Sequence, residues 1–267
     1  MTAVERHPVY GASAPAAGWV PAPRYALRRA RILDLLSCLP RGRALRALEI
    51  GCGAGALLSD LARLGFSCTA VETAPEAFEL ARELNRGNPD VEIFPAPQPG
   101  WDEAFDLVLA FEVLEHLEDD AGALREWRSR LRPGGRLLIS VPAREARWTA
   151  TDDWAGHLRR YERKDLLALL DRCGFEVERH ECYGFPLSNV TETIRGWVHA
   201  RVLKRSAPKD ATASTERSGT DRGFESRLYP LQASWPGVKF FQACCWLQER
   251  VLDREWGTGY LVLARRR

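Results

Sequence analysis

The sequence lacks several features that would assign a protein to a compartment or a scaffold. No run of about 18 apolar residues is present, so no membrane span is expected. The seven cysteines are odd in number and form no C-x-x-C pair, which argues against a disulfide framework and against a zinc site. Glu5 and Arg6 interrupt any apolar leader at the N-terminus. These absences predict a cytoplasmic protein with reduced thiols.

The sequence also lacks a large excess of charge. Its formal net charge is +2 over 267 residues, so no global field attracts it to nucleic acid. The contents of 45% hydrophobic and 28% charged residues are those of an ordinary globular protein. We therefore expect a small-molecule substrate rather than a nucleic-acid partner.

What the sequence does contain is an alternation of short apolar runs with segments of helical periodicity. The runs Leu107-Val108-Leu109 and Leu137-Leu138-Ile139 are apolar on both faces, as in strands covered by helices on both sides. Such alternation predicts an α/β fold with a doubly wound, mostly parallel sheet. Seven strands are predicted, near residues 47–50, 68–72, 91–94, 105–110, 136–141, 175–178 and 260–264.

About 80 residues separate the last two predicted strands, far more than a usual connection, so a helical insertion is expected there. Two helices, near 189–204 and 237–252, would flank a polar and mobile loop at 206–227. The predicted organisation is an N-terminal arm and first helix at 1–44, a core at 45–182, the insertion at 183–256, and a closing strand and tail at 257–267. The proline-rich arm itself, residues 1–23, is expected to be irregular rather than packed.

A glycine-rich loop follows the first core strand, in the segment Glu49-Ile50-Gly51-Cys52-Gly53-Ala54-Gly55. Glycines between a strand and a helix let a ligand approach the backbone. Glu72 ends the next strand about 20 residues later, where a carboxylate can accept hydrogen bonds from ribose hydroxyls. Because Ala56 completes a dinucleotide fingerprint, a nicotinamide cofactor stays open on these residues alone.

Two further segments follow the glycine loop in order, FDLVLAFEVLEH at 105–116 and LRPGGRLLI at 131–139. Together, the three segments resemble the class I methyltransferases over about 45–180, with the closing strand near 260. The resemblance implies a Rossmann-like fold and S-adenosyl-L-methionine as cofactor, with Glu49 and the Gly51 backbone at its methionine end and Phe111 beside it. It also implies that Pro133-Gly134-Gly135 is a turn before the fifth strand. The predicted cofactor-binding residues are Glu49, Gly51, Cys52, Gly53, Gly55, Glu72 and Phe111.

The residues after the fourth core strand carry the predicted chemistry. His116 and His157 are the predicted catalytic residues, since a hydroxyl acceptor needs a base. Glu112 and Glu115, with both histidines, resemble the metal site of Hen1-type RNA 2′-O-methyltransferases and are similar to motifs of ubiquinone-pathway O-methyltransferases. Magnesium or another divalent ion there would lower the pKa of the hydroxyl. Without a metal, Glu115 would brace a loop and His116 would act as base or orient the substrate.

Two weaker predictions concern the substrate and the quaternary structure. Arg160 and Tyr161 precede a predicted helix and could meet the substrate, although arginines at such positions are often solvated. The insertion is rich in aromatic residues, among them Trp197, Phe240 and Trp246. These would line an apolar acceptor pocket or pack the helices onto the core or onto a second subunit in a homodimer.

The sequence therefore predicts an S-adenosylmethionine-dependent methyltransferase that methylates an oxygen of a small, partly hydrophobic metabolite. Three alternatives stay open beside the nicotinamide enzyme. One is a metal-assisted RNA 2′-O-methyltransferase, which the small net charge disfavours. The others are an N- or C-methyltransferase of a natural product and a non-catalytic protein that binds S-adenosylmethionine.

Overall fold

The computed structural model describes residues 4–39, 45–205 and 223–267 of the chain. Its nine strands are β1 Glu5–His7, β2 Gly11–Ser13, β3 Leu45–Ile50, β4 Phe66–Val71, β5 Val91–Phe94, β6 Phe105–Phe111, β7 Leu131–Pro142, β8 Phe175–Tyr183 and β9 Gly259–Arg266. The described helices longer than one turn are α1 Pro23–Ser37, α2 Leu58–Arg63, α3 Pro75–Leu84, α4 Asp120–Arg130, α5 Ala150–Ala155, α6 Arg163–Arg172, α7 Leu187–Arg205, α8 Gly223–Ala233 and α9 Trp235–Glu249.

Seven of the strands form one sheet in the order β5-β4-β3-β6-β7-β9-β8. The first five of these run parallel, and β9 runs antiparallel to both of its neighbours. The predicted doubly wound, mostly parallel seven-stranded sheet is confirmed. Pro133, Gly134 and Gly135 lie within β7 as a bulge, because the partner of Phe105 is Leu131 whereas that of Leu107 is already Arg136.

The sheet is covered on both faces, as its apolar runs predict. Leu107 and Leu109 contribute to a core cluster on one face, and Val108 belongs to a cluster on the other face. All three are at most 1% exposed. Burying a side chain of this size stabilises the fold by roughly 1.5–3 kcal/mol. The central strands therefore form a rigid support for the loops at their carboxyl ends.

The N-terminal arm is packed, contrary to the prediction of an irregular segment. Its strands β1 and β2 form an antiparallel hairpin, and Tyr10 and Trp19 are 0% and 3% exposed. Arg29 on α1 donates to the carbonyl of Val9 at 2.9 Å and to both oxygens of Asp60 at 2.6 and 2.8 Å. One buried arginine and a few aromatic rings hold the arm. Because such isolated contacts produce no hydrophobic periodicity in the sequence, the packing of the arm was not predicted.

The helical insertion is present. The two helices predicted near 189–204 and 237–252 are confirmed as α7 and α9. The additional helix α8 includes residues 223–227, which were expected in the polar loop, and the rest of that loop, 206–222, lies outside the described residues. Among the described residues, no helix combines the length and the apolar composition needed to cross a bilayer.

Candidate active site

The glycine loop connects β3 to α2 at the carboxyl edge of the sheet. Gly51, Gly53 and Gly55 have φ angles of +66°, +55° and +66°, which side chains rarely adopt. A Cβ on Gly53 would meet nothing within 4 Å, whereas one on Gly55 would lie 2.9 Å from the side chain of Ala81 on α3. Gly53 therefore faces open space in which a ligand can approach, and Gly55 lets α3 pack closely.

Glu72 follows β4 and lies directly against the glycine loop. Its two carboxylate oxygens accept hydrogen bonds from the backbone N–H of Gly53 at 2.8 Å and of Ala74 at 2.9 Å. A carboxylate oxygen has two lone pairs, so each retains capacity for a further donor. This geometry fixes the carboxylate at the strand end, where the sequence predicts contact with ribose hydroxyls.

Glu49 lies on β3, directly before the glycine loop. It is 4% exposed, and its Oε2 is buried with no hydrogen-bond partner among the described residues. Burial raises the pKa of Glu49 to about 8, and the neighbouring Glu72 adds to the rise. A buried, unsatisfied carboxyl is unfavourable unless a ligand completes it, and a cationic group such as an ammonium fits that requirement.

Cys52 and Phe111 complete the predicted cofactor surface. The Cys52 thiol is half-buried, and burial together with the charges of Glu49 and Glu72 raises its pKa well above the usual range. The thiol is therefore neutral and serves as a small apolar contact. Phe111 ends β6 and is 8% exposed, and the guanidinium carbon of Arg28 lies 5.5 Å from its ring centre.

Glu112 is held by residues that the sequence analysis missed. It receives a hydrogen bond from Arg24 at 2.6 Å, and its other oxygen accepts from Ser140 at 2.9 Å and from Tyr183 at 3.0 Å. Arg28 lies 3.2 Å from the same carboxylate. Burial opposes its charge, but Arg24 and Arg28 outweigh burial and lower the pKa of Glu112 to about 2. Glu112 thus joins α1 to the carboxyl end of β6.

Glu115, His116 and His157 come together beside Glu112. Donor atoms of these three side chains all lie within 4.8 Å of one another, in a group that does not include Glu112. Glu115 is 0% exposed, and neither of its oxygens has a hydrogen-bond partner among the described residues. Burial and the charge of Glu112 raise the pKa of Glu115 well above its usual range.

Both histidines of this group are oriented through Nδ1. His116 Nδ1 lies 3.3 Å from the carbonyl oxygen of Gly156, which can only accept, so the proton of a neutral His116 is on Nδ1. His157 Nδ1 lies 2.9 Å from Oδ1 of Asp152. Burial and the nearby His157 lower the pKa of His116 to about 4, so the ring is neutral at pH 7. The unprotonated nitrogen of His116 is Nε2.

Arg160 and Tyr161, the two predicted substrate contacts, are engaged inside the protein. Arg160 is 6% exposed and binds both oxygens of Asp152 at 2.8 Å. Tyr161 is 5% exposed and donates to Asp120 at 3.0 Å. Their polar groups therefore brace the loop that carries His157.

The site and the sheet order together define a class of protein, the methyltransferase domains that bind S-adenosylmethionine at a glycine loop. The chain belongs to the family described as methyltransferase domain, which matches residues 24–180. That match contains the glycine loop, both histidines of the site and the helices and strand between those histidines.

Two further comparisons agree with this membership. The chain is 36% identical over 127 residues to the ubiquinone biosynthesis O-methyltransferase of Xanthomonas euvesicatoria pv. vesicatoria, a match that covers 45% of this chain and 52% of that protein. The chain thus spans about half the length of the curated relatives it matches. An S-adenosylmethionine-dependent methyltransferase from Mesorhizobium loti aligns with a TM-score of 0.55 and 18% identity over 92% of this chain and 98% of that one.

The fold is also similar to that of a protein with another activity. The (4+2)-cyclase SpnF aligns with a TM-score of 0.54 and 21% identity, covering 88% of this chain and 80% of that chain. Likeness at this level concerns the fold alone.

Proposed function

We propose that this chain transfers the methyl group of S-adenosylmethionine to an oxygen of a small, partly hydrophobic acceptor. The observation that carries the proposal is the pair of incomplete sites at adjacent strand ends. Glu49 has a buried oxygen without a partner next to the glycine loop, and Glu115 has two beside His116 and His157. One site suits a cationic cofactor, and the other suits a hydroxyl that must lose its proton.

The cofactor would lie across the glycine loop. Its ammonium would complete Glu49, its ribose hydroxyls would bind Glu72, and its adenine and sulfonium regions would pass Cys52 and Phe111. Arg28, which lies between Glu49 and Glu112, offers a counter-charge for the carboxylate of the methionine part. No side chain is assigned to the adenine edge.

The reaction would be an in-line displacement at the methyl carbon. The acceptor oxygen forms the new O–C bond while the C–S bond breaks and the electron pair stays on sulfur. Without a metal, the acceptor proton would leave to a base, and the unprotonated Nε2 of His116 would take it. The buried surroundings of the two histidines exclude water from the methyl group.

A divalent metal fits the same group, and the group's two imidazole nitrogens and one carboxylate suit a transition-metal ion better than magnesium. Glu115, His116 and His157 offer one oxygen and two nitrogens, and the unpartnered Glu115 carboxyl is what a bound cation would satisfy. When bound, the ion would lower the pKa of a coordinated acceptor hydroxyl. Glu112 would then act from outside this group, because Arg24, Ser140 and Tyr183 already hold its carboxylate.

The name of the Xanthomonas relative supports an apolar acceptor methylated on oxygen. It contributes to ubiquinone biosynthesis, as its name states, and this chain matches about half of it. The metal group keeps a second candidate open, methylation of an RNA 2′-hydroxyl, which the net charge of +2 does not favour. An N- or C-methyl acceptor would also release a proton, so a base at His116 does not by itself decide the acceptor atom.

The proposal is tested in two steps with the purified chain. Calorimetry with S-adenosylmethionine measures donor binding, and isotope-labelled donor then reports transfer to phenolic acceptors, to catechols and to short RNA. Binding without transfer to any acceptor would indicate a non-catalytic binding protein, and no binding at millimolar donor would reject the assignment. If turnover persists with a chelator, after elemental analysis has shown that the metal is removed, the proposed metal requirement is rejected.

We also propose that two copies associate through the insertion. Val190, Ile194, Trp197 and Val198 are 45–68% exposed and recur every three to four residues, so they share one face of α7. An apolar face of this kind can bury itself against its own copy across a two-fold axis. Sedimentation velocity should show a dimer that Trp197→Glu dissociates, whereas Val4→Glu, at an exposed apolar position of the arm, leaves it intact.

A further inference from the structure

A buried row of charged side chains connects the insertion to the candidate active site. Glu192 on α7 accepts a hydrogen bond from Nη2 of Arg160 at 2.6 Å. Arg160 donates from Nε and Nη2 to the two oxygens of Asp152, each at 2.8 Å. All three residues are at most 9% exposed, so water screens these interactions little. The row ends at His157.

Asp152 contacts His157 through one oxygen and holds its own loop through the other. Oδ1 lies 2.9 Å from His157 Nδ1. Oδ2 accepts from the backbone N–H of Thr149 at 2.7 Å and takes part in the capping box of α5. A helix cap alone would need only Oδ2. The second oxygen is therefore available to act on the histidine.

The orientation of the His157 ring follows from this contact. An ionised carboxylate can only accept, so the proton of a neutral His157 ring lies on Nδ1 and its lone pair on Nε2. Burial opposes the charge of Asp152, but hydrogen bonds from His157 and Arg160 outweigh it and hold the pKa of this carboxyl well below its usual range. His157 Nε2 then faces Glu115, 4.0 Å from Oε1.

We propose that Asp152 is the positioning residue of His157: it fixes the Nδ1–H tautomer and points Nε2 at the reacting centre, and Arg160 and Glu192 hold it there. This inference rests on the proposed function only in assigning a catalytic use to Nε2. The tautomer itself is a property of the protein without substrate. It holds whether Nε2 takes a proton or binds a cation.

The first test measures that tautomer directly. Protein labelled with ¹⁵N in its five histidines gives nitrogen shifts that separate protonated from bare ring nitrogens, and a His157→Gln sample assigns the signal. The spectra are recorded over a series of rising pH values, and the expected result for the neutral His157 ring is a protonated Nδ1 and a bare Nε2. A neutral ring with its proton on Nε2 in the unaltered chain would overturn the proposal without any assay of turnover.

The second test is Asp152→Asn. The amide oxygen should stay in the place of Oδ2, where Thr149 and Nη2 of Arg160 donate, so the amide nitrogen takes the place of Oδ1. Nε of Arg160 then loses its acceptor, and the His157 ring proton moves to Nε2. We expect the ¹⁵N shifts to report that tautomer and kcat to fall roughly 10–100-fold. The Kd for S-adenosylmethionine should stay unchanged. Asp152→Glu, which restores a carboxylate, should return the Nδ1–H tautomer.

A matched control separates positioning from general stabilisation. Glu181 on β8 forms a similarly buried, bidentate pair with Arg31 on α1, with both distances 2.9 Å. Glu181→Gln should lower Tm while the His157 shifts and kcat stay unchanged.

If Asp152→Asn does not fold, Arg160→Lys is the second variant. It keeps the positive charge but loses the paired N–H groups that bind both oxygens of Asp152, so kcat should fall while the Kd for S-adenosylmethionine stays unchanged. An unchanged tautomer in folded Asp152→Asn, or losses no larger than those of Glu181→Gln, would refute the role of Asp152.

A failure of the proposed function has a different signature. In that case the unaltered chain binds no S-adenosylmethionine or transfers no methyl group, whereas the His157 shifts still respond to Asp152→Asn. The converse, turnover with a tautomer that ignores Asp152, rejects only the positioning role.

Discussion

Glu49 and Glu112 end two neighbouring parallel strands, yet their surroundings move their pKa values in opposite directions. Burial dominates at Glu49 and raises its pKa to about 8. At Glu112, burial is outweighed by Arg24 and Arg28, and the pKa falls to about 2. At neutral pH the first carboxyl is mostly protonated and the second is ionised. Glu49 can therefore bind a cation at the end of β3, whereas Glu112 joins α1 to the end of β6.

Binding of S-adenosylmethionine should consequently depend on pH. A bound ammonium favours the ionised Glu49 carboxylate, so binding near pH 7 should release a proton, and affinity should rise from about pH 6 to about pH 8. Calorimetry in two buffers of different ionisation enthalpy measures the released proton. Glu49→Gln should abolish the release and weaken binding roughly tenfold or more, as expected for a hydrogen bond to a charged group. Glu92→Gln, on the exposed side of β5, is the control, and pH-independent binding would contradict the role of Glu49.

His116 permits an equally direct test. If its Nε2 removes the acceptor proton, His116→Ala should lower kcat by roughly 10²–10⁴-fold, with the donor Kd unchanged, because general-base catalysis contributes that much. Rapid-quench measurement of a single turnover isolates the chemical step. A loss below about tenfold in a folded variant would leave His116 only an orienting role.

Some residues of the site could be predicted from the sequence, and others could not. Glu72 was predicted from its place at a strand end, and the short segment after β6 contains Glu112, Glu115 and His116 together. Arg24 and Arg28 were missed because they lie on α1, whose sequence pattern indicates only a packed helix. Asp152 was missed because its partner His157 follows a helix that had not been predicted.

At the level of elements, α5 shows what local chemistry could have revealed. Thr149 caps this six-residue helix, Asp152 closes the capping box, and Gly156 ends it in the left-handed conformation. These residues are a recognisable start and stop, but a helix this short has no hydrophobic periodicity to draw attention to it. The β1–β2 hairpin is hidden for a similar reason, since three-residue strands show no alternation.

The packed arm should matter for cofactor binding as well as for stability. Trp19 is 3% exposed and lies in one cluster with Ala54 and Ala56 of the glycine loop. Trp19→Ala should cost about 3–5 kcal/mol of unfolding free energy and weaken donor binding, because the loop loses its cover. Urea unfolding and calorimetry measure the two effects. Trp235→Ala, at a site that is 74% exposed, should change neither. Unaltered donor affinity in Trp19→Ala would mean that the arm serves stability alone.

For the whole molecule, the parallel part of the sheet was the part best predicted. Strands buried on both faces have continuous apolar runs, and those runs fixed the number of strands. The pairing of β9 between β7 and β8 depends on contacts across 76 or more residues of sequence, which no local pattern encodes. Whether the exposed apolar face of α7 forms a dimer interface depends on contacts with a second copy. The dimer therefore stays a prediction until the oligomeric state is measured.

The buried histidines should make the fold less stable as pH falls, and the buried carboxyls of Glu49 and Glu115 should act in the opposite direction. Burial lowers the pKa of both His116 and His180 to about 4, whereas an unfolded chain protonates its histidines near pH 6.5. At these two residues the unfolded state binds more protons than the folded state between about pH 6.5 and about pH 4, so their contribution to the free energy of unfolding decreases as pH falls. The raised pKa values of Glu49 and Glu115 instead make the folded state bind more protons than the unfolded state, which stabilises the fold as pH falls. Urea titrations of the chain and of the double variant His116→Gln, His180→Gln separate the two effects, because the free energy of unfolding of the double variant should decrease less, or rise more, between about pH 6.5 and about pH 4. Parallel pH profiles for the two proteins would contradict the contribution of the histidines.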